Sequence, residues 1–174
     1  MEDLGPRLIA LSAGICRDRH RAEEVVQEAF VRLWKSPPDA GEIAWSSWLR
    51  RVVTNLSINT LQRTKRPGAI PEFSEDRALH SREGGAGGEQ AEQRENLERV
   101  SRAMDRLDES KRAILMLRAQ EQLSYEQIAE HLGVPVGTVM SRLNRARAAL
   151  LDEMKNDAVD KEPASFEFKK YKQA

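Results

Sequence analysis

The sequence predicts an all-α protein built as two small helical domains joined by a flexible linker. Three observations lead there. Alternating β-branched runs are almost absent from the 174 residues. Apolar residues instead recur at helical spacing through 1–66 and 93–155. Between those stretches, 67–92 holds Pro67, Gly68, Pro71 and the run Gly84-Gly85-Ala86-Gly87-Gly88 with few apolar side chains, which is the composition of a tether. The tether is acidic, with six Asp or Glu against two Arg.

Each element has its own signal. Leu8, Ile9, Leu11 and Ile15 mark a first helix. Val25, Val26, Ala29, Phe30, Leu33 and Trp34 form a wide apolar stripe on a second, which Pro37-Pro38 ends. A third helix over 45–66 places Trp48, Leu49, Val52, Val53, Leu56 and Leu61 on one side and finishes on Arg63, Lys65 and Arg66. Trp45 and Trp48 continue through Val52 at helical spacing, so both indoles are read as core. Beyond the tether, Leu97, Val100, Met104 and Leu107 stay in register over a helix at 96–106. Asp108 is the expected N-cap of a helix running to about Gln120, with Ile114, Leu115 and Leu117 inside. From Asn156 onward the chain reads as a polar tail, with Phe166, Phe168 and Tyr171 among lysines.

The most informative stretch is 123–147. Ser124 with Gln127 makes a capping box, and Ile128, Ala129 and Leu132 supply an apolar face. Gly133 provides a left-handed stop, and Pro135 has a backbone suited to the start of another helix. Val139 and Leu143 then pack back, leaving Ser141, Arg142, Asn144, Arg145 and Arg147 outward. This is the pattern of a helix-turn-helix. Between Pro135 and Leu151 there are three Arg and no Asp or Glu, which favours DNA over an ordinary helical hairpin.

Composition narrows the function classes. Lys plus Arg and Asp plus Glu are both 28, so only the distribution of charge, not its total, argues for nucleic acid. The single cysteine, Cys16, excludes an internal disulfide and sits where a small buried hydrophobe is expected. No signal peptide and no apolar run of membrane-spanning length are visible, so the expectation is a soluble, cytoplasmic protein without membrane insertion. His20, His80 and His131 lie in different segments without ligands at metal spacing, and the glycine run is not followed by Lys-Ser/Thr. No metal, cofactor or enzymatic centre is expected.

Three segments carry a resemblance to a known family. They are Arg21-Ala-Glu-Glu-Val-Val-Gln-Glu-Ala-Phe-Val-Arg-Leu-Trp34, Trp45-Ser-Ser-Trp-Leu-Arg-Arg-Val-Val-Thr-Asn55, and Gly137-Thr-Val-Met-Ser-Arg-Leu-Asn-Arg-Ala-Arg147. Together, and in this order, they resemble the small extracytoplasmic-function sigma factors of bacterial RNA polymerase. The resemblance implies that 1–66 binds core polymerase and recognises the minus-ten element. It makes 67–92 the flexible acidic linker, 93–155 the helix-turn-helix domain reading the minus-thirty-five element, and 156–174 a tail.

It also implies roles for residues. Glu24, Gln27 and Glu28 would meet the basic clamp helices of the polymerase's largest subunit. Arg50, Arg51, Asn55, Asn59, Arg63, Lys65 and Arg66 would hold and melt the minus-ten region, the amides at base edges and the cations at phosphates. The family commonly has Asp where Asn59 stands. Ser141, Asn144 and Arg145 would reach base edges, while Thr138, Arg142 and Arg147 would hold phosphates. Met140 departs from the Lys or Arg often found at its place. The first helix is expected to be short, because family members usually carry roughly one or two more helical turns before the segment matching Pro6 to Ser12.

The linker's 26 residues would average about 28 Å end to end as a coil and reach about 85 Å extended. Elements some 23 base pairs apart lie about 78 Å apart along a duplex, so only a stretched linker spans them. The implied partners are core RNA polymerase, promoter DNA and an anti-sigma factor. Two other functions compete: a free-standing helix-turn-helix regulator that does not depend on polymerase, and an interaction protein that sequesters a partner without using the basic helix face.

Overall fold

The computed structural model describes residues 4–39, 42–64 and 88–159, which form seven helices and no strand among the described residues. The first module holds α1 (Leu4–Cys16), α2 (Arg19–Lys35) and α3 (Glu42–Thr64). The second holds α4 (Gly88–Arg106), α5 (Glu109–Ala119), α6 (Tyr125–Leu132) and α7 (Val136–Val159). None of the described helices is long and apolar enough to cross a membrane.

Local chemistry sets most of the helix ends. The Asp18 carboxylate caps α2 by accepting from Arg21 N at 3.0 Å, and Asp108 caps α5 by accepting from Lys111 N at 2.8 Å. Ser124 and Gln127 form the expected reciprocal capping box on α6. Gly133 closes α6 at φ 66°, a conformation its missing Cβ makes inexpensive. Pro135 stands just before α7, its carbonyl accepting from Thr138 N and Val139 N.

α1 spans 13 residues. Two boundaries differ from the sequence reading. α4 begins at Gly88, inside the stretch assigned to the linker, and α7 continues to Val159, past the expected start of the tail at Asn156. The reason for the second is long-range: Asp157 is buried, and Arg102 binds it at 2.8–3.1 Å with Arg106 3.5 Å away. That clamp ties the end of α7 antiparallel to α4. Lys65, Arg66 and the linker up to residue 87 lie outside the described residues, as do Phe166, Phe168 and Tyr171.

Two cores organise the packing, and one of them belongs to both modules. Leu8, Val25, Val26, Ala29, Leu49 and Val53 form the core of the first module alone, with Trp48, Val52 and Leu56 against it. The other joins Leu11 and Ile15 of α1 to Ile114, Leu117, Ile128, Val139 and Leu143 of the second module, with Ile58 and Leu61 of α3 alongside. α3 therefore lies between two cores, and its apolar residues divide between two sides, not the single side read from its spacing. At the crossing of α1 and α5, the Met116 side chain lies over Gly14, where a Cβ would stand 2.1 Å from its Cε and 3.2 Å from its Cγ and would oblige that flexible side chain to move.

Polar groups complete the seam between modules. The buried Arg112 guanidinium donates to the Ile15 carbonyl at 2.6 Å and the Leu107 carbonyl at 2.6 Å, satisfying backbone acceptors at two helix ends. Burial holds its pKa below the ordinary arginine value. Arg17, in a left-handed backbone conformation at φ 58°, reaches Asp105 at 2.5 Å and Ser101 Oγ at 2.6 Å. Cys16 is buried beside Ser12 and Ser57, as a small core residue; burial pushes its thiol pKa up.

Candidate nucleic-acid interface

α3 presents a polar stripe. Arg51, Asn55, Asn59 and Arg63 recur every four residues and all are exposed, while Leu49 and Val53 of the same helix are buried. Asn59 and Arg63 line a groove of about 290 Å³ together with Arg32, Leu56, Thr60 and Gln62. Amides beside guanidiniums can meet base edges and phosphates at once. Arg50 stands apart from this stripe. It is mostly buried and turned toward the second module, where its Nε donates to Glu121 at 2.9 Å.

α7 carries the second surface. Ser141, Arg142, Asn144, Arg145 and Arg147 are exposed, Thr138 is half-buried, and Val139, Leu143 and Ala146 are buried beneath them. Ser141 Oγ donates to the Thr138 carbonyl at 3.0 Å, and Arg145 folds back on its own helix to the Ser141 carbonyl at 3.2 Å. Met140 is exposed among these groups. Arg142 and Arg145 also line an open hollow of about 430 Å³ together with Ile58 of α3, Lys111 and Ile114.

α2 carries the third. Glu24, Gln27 and Glu28 share one exposed face, with Glu28 held by Arg32 at 2.8 Å and Glu24 3.5 Å from His20. That face continues into Val31 and Trp34, with Phe30 beside it; Trp34 is 89% exposed. The spacing argument placed Phe30 and Trp34 in the core, and this is a correction: Val25, Val26, Ala29 and the half-buried Leu33 take up the core contact, and the stripe's end runs past its partner helices. Phe30, Val31 and Trp34 thus form an exposed apolar cluster at the end of an acidic face. The signal for it was Val31, an apolar residue that sits off the core stripe and on the face of Gln27 and Glu28.

The comparisons with known proteins follow the same division. The family model described as Sigma-70 region 2 matches residues 1–67, and that described as Sigma-70, region 4 matches 97–150. The chain is 30% identical to ECF RNA polymerase sigma factor SigW of Bacillus subtilis over 150 residues, covering 79% of this chain and 77% of that one. It is 34% identical to RNA polymerase sigma-H factor of Pseudomonas aeruginosa over 153 residues, covering 83% and 78%.

The chain belongs to the extracytoplasmic-function sigma factors.

It is also 34% identical over 157 residues to the sigma factor SigE of Mycolicibacterium smegmatis, but spans only 56% of that protein's length. In fold it resembles the sigma factor RpoE from Bartonella quintana, solved in complex with the anti-sigma factor NepR, at a TM-score of 0.66 and 24% identity over 88% of this chain and 93% of that one. Against this frame, the α3 stripe and α7 face of this sigma factor fall in the region 2 and region 4 matches respectively. The α2 face falls in region 2 as well. Among the described residues no group of three or more His, Cys, Asp or Glu stands together in a way that could hold a metal ion.

Proposed function

We propose that this protein is a promoter-specificity subunit: it docks on core RNA polymerase through α2, holds the minus-ten region on α3, and reads the minus-thirty-five element with α7. It makes and breaks no bonds itself, acts in the cytoplasm, and is held in check by an anti-sigma factor. The observation that carries the reading is the joint occurrence, in one chain, of the region 2 and region 4 matches with an exposed basic helix in the second.

Chemistry supports each assignment. Glu24, Gln27 and Glu28 suit a basic helix, and Phe30, Val31 and Trp34 add apolar area of the kind that dominates binding energy. Arg51, Asn55, Asn59 and Arg63 suit a single strand, with Lys65 and Arg66 following in sequence. Asn144 and Arg145 match adenine and guanine edges in the major groove, Ser141 either, and Thr138, Arg142 and Arg147 suit phosphates. Arg50 keeps its place in the minus-ten set only once its contact with Glu121 is released.

Run-off transcription with core polymerase on genomic promoter fragments tests the proposal. Transcripts with discrete starts that require this chain are expected; if no fragment fires in the absence of inhibitors, the assignment fails.

A further inference from the structure

The exposed side of α7 carries two apolar side chains that a reading by amides, hydroxyls and guanidiniums leaves without a task. Val136 and Met140 are 36% and 49% exposed, and neither belongs to the core that Val139, Leu143 and Ala146 enter beneath them. They stand one turn apart, and the row they begin continues through the exposed Asn144 and Arg147 along one side of the helix. Next to them, a Cβ on Gly137 would meet nothing within 4 Å, so the first turn is open to close approach. Arg145 bends to Ser141 in the neighbouring row.

A single exposed apolar residue needs no explanation. Two of them in the first turns of a helix whose N-terminal end enters the major groove do. Neither side chain has a donor to offer a phosphate. The base edges in that groove present donors, acceptors and one apolar group, the methyl of thymine. An unbranched thioether adapts its shape to such a surface.

We propose that Met140, with Val136 beside it, recognises the methyl group of a thymine in the minus-thirty-five element and so fixes an A·T pair there in one orientation. The inference rests on α7 as the reader of that element. Met140 and Asn144 are separated by about 6 Å along the helix, which spans one or two steps of about 3.4 Å between base pairs. The thymine therefore lies within two base pairs of the position Asn144 meets. One methyl removed from water is worth about a four-fold difference in affinity.

The test uses holoenzyme assembled from core polymerase and the full chain, on a genomic promoter fragment that fires in run-off transcription. Each thymine of its minus-thirty-five footprint is replaced singly by uracil, which lacks only the methyl, and affinity is measured at one fixed salt concentration. The native holoenzyme is expected to lose about four-fold at one of these positions. Met140→Ala, a change at an exposed position that leaves the fold intact, should bind the thymine and uracil duplexes equally, because the methyl and the thioether act as a pair. Met140→Leu, apolar and of similar volume, should keep the discrimination. Asn144→Ala should relax preference within two base pairs of the same thymine. A scan with no sensitive position overturns the proposal. So does a sensitive thymine whose effect survives in Met140→Ala, which would assign the methyl to another residue. A Met140→Ala holoenzyme that binds every duplex as the native one does would mark the pair as a surface for a protein, and equally overturns it. If no fragment fires, the promoter reading itself fails and takes this inference with it; a promoter that fires without methyl discrimination sinks the inference alone.

Discussion

His131 is held neutral by its surroundings. The Thr54 hydroxyl donates to the Arg50 carbonyl at 2.8 Å, so it can only accept from His131 Nε2, 3.1 Å away, which fixes the proton on that nitrogen. Burial at the seam, then the Arg50 and Arg51 guanidiniums on α3, push its pKa down to about 4. Glu121 faces Arg50, and Glu130 on its own helix offers Arg51 a carbonyl, so no carboxylate pairs with the ring directly. Because the folded pKa is depressed from 6.5, the buried neutral ring stabilises the folded chain fully above about pH 6.5 and loses that stabilisation as pH falls toward 4. Between pH 7.5 and 5.5 the folded form should lose about ten-fold against the unfolded form on this account. Urea unfolding across that range checks it, and His131→Gln should flatten the dependence. A second residue-scale prediction concerns Arg112: replacing it with Ala strands the Ile15 and Leu107 carbonyls and should cost about 2–4 kcal/mol in urea unfolding. Neither residue announced itself in the sequence. His131 stood as a lone histidine and Arg112 as one charge among many, because their partners lie 77 and 97 positions away.

Among the helices, the ones with local punctuation were legible and the ones set by distant contacts were not. The α6 capping box, the Gly133 stop and the Asp108 cap were read correctly because each involves groups within a few residues of one another. The Trp34 indole was misplaced because spacing describes a helix face but not how far a neighbour extends along it. That exposure gives a prediction. Trp34→Ala should weaken core-polymerase binding by about ten- to hundred-fold, as loss of an aromatic anchor does. Its thermal unfolding should be nearly unchanged, since the side chain is 89% exposed. On α7, Arg145→Ala should cost about 1–3 kcal/mol of promoter affinity and relax preference at one base pair. Met140→Lys, adding a cation beside exposed Ser141 and Asn144, should strengthen binding and steepen the salt dependence by about one unit, read by titrating holoenzyme on promoter DNA at several salt concentrations.

At the scale of the whole molecule, the composition predicts two modules and a tether but gives no sign that the modules share a core. Leu11 and Ile15 were recognised as apolar positions of α1; nothing near them in sequence indicates that they pack on α5 and not on α2. The measurement that bears most directly on this account is footprinting on one genomic promoter with the chain alone and with core polymerase. Two protected patches about two helical turns apart, present only with polymerase, are the predicted result. A single patch of full strength protected by the chain alone would mark a free-standing regulator and contradict the account.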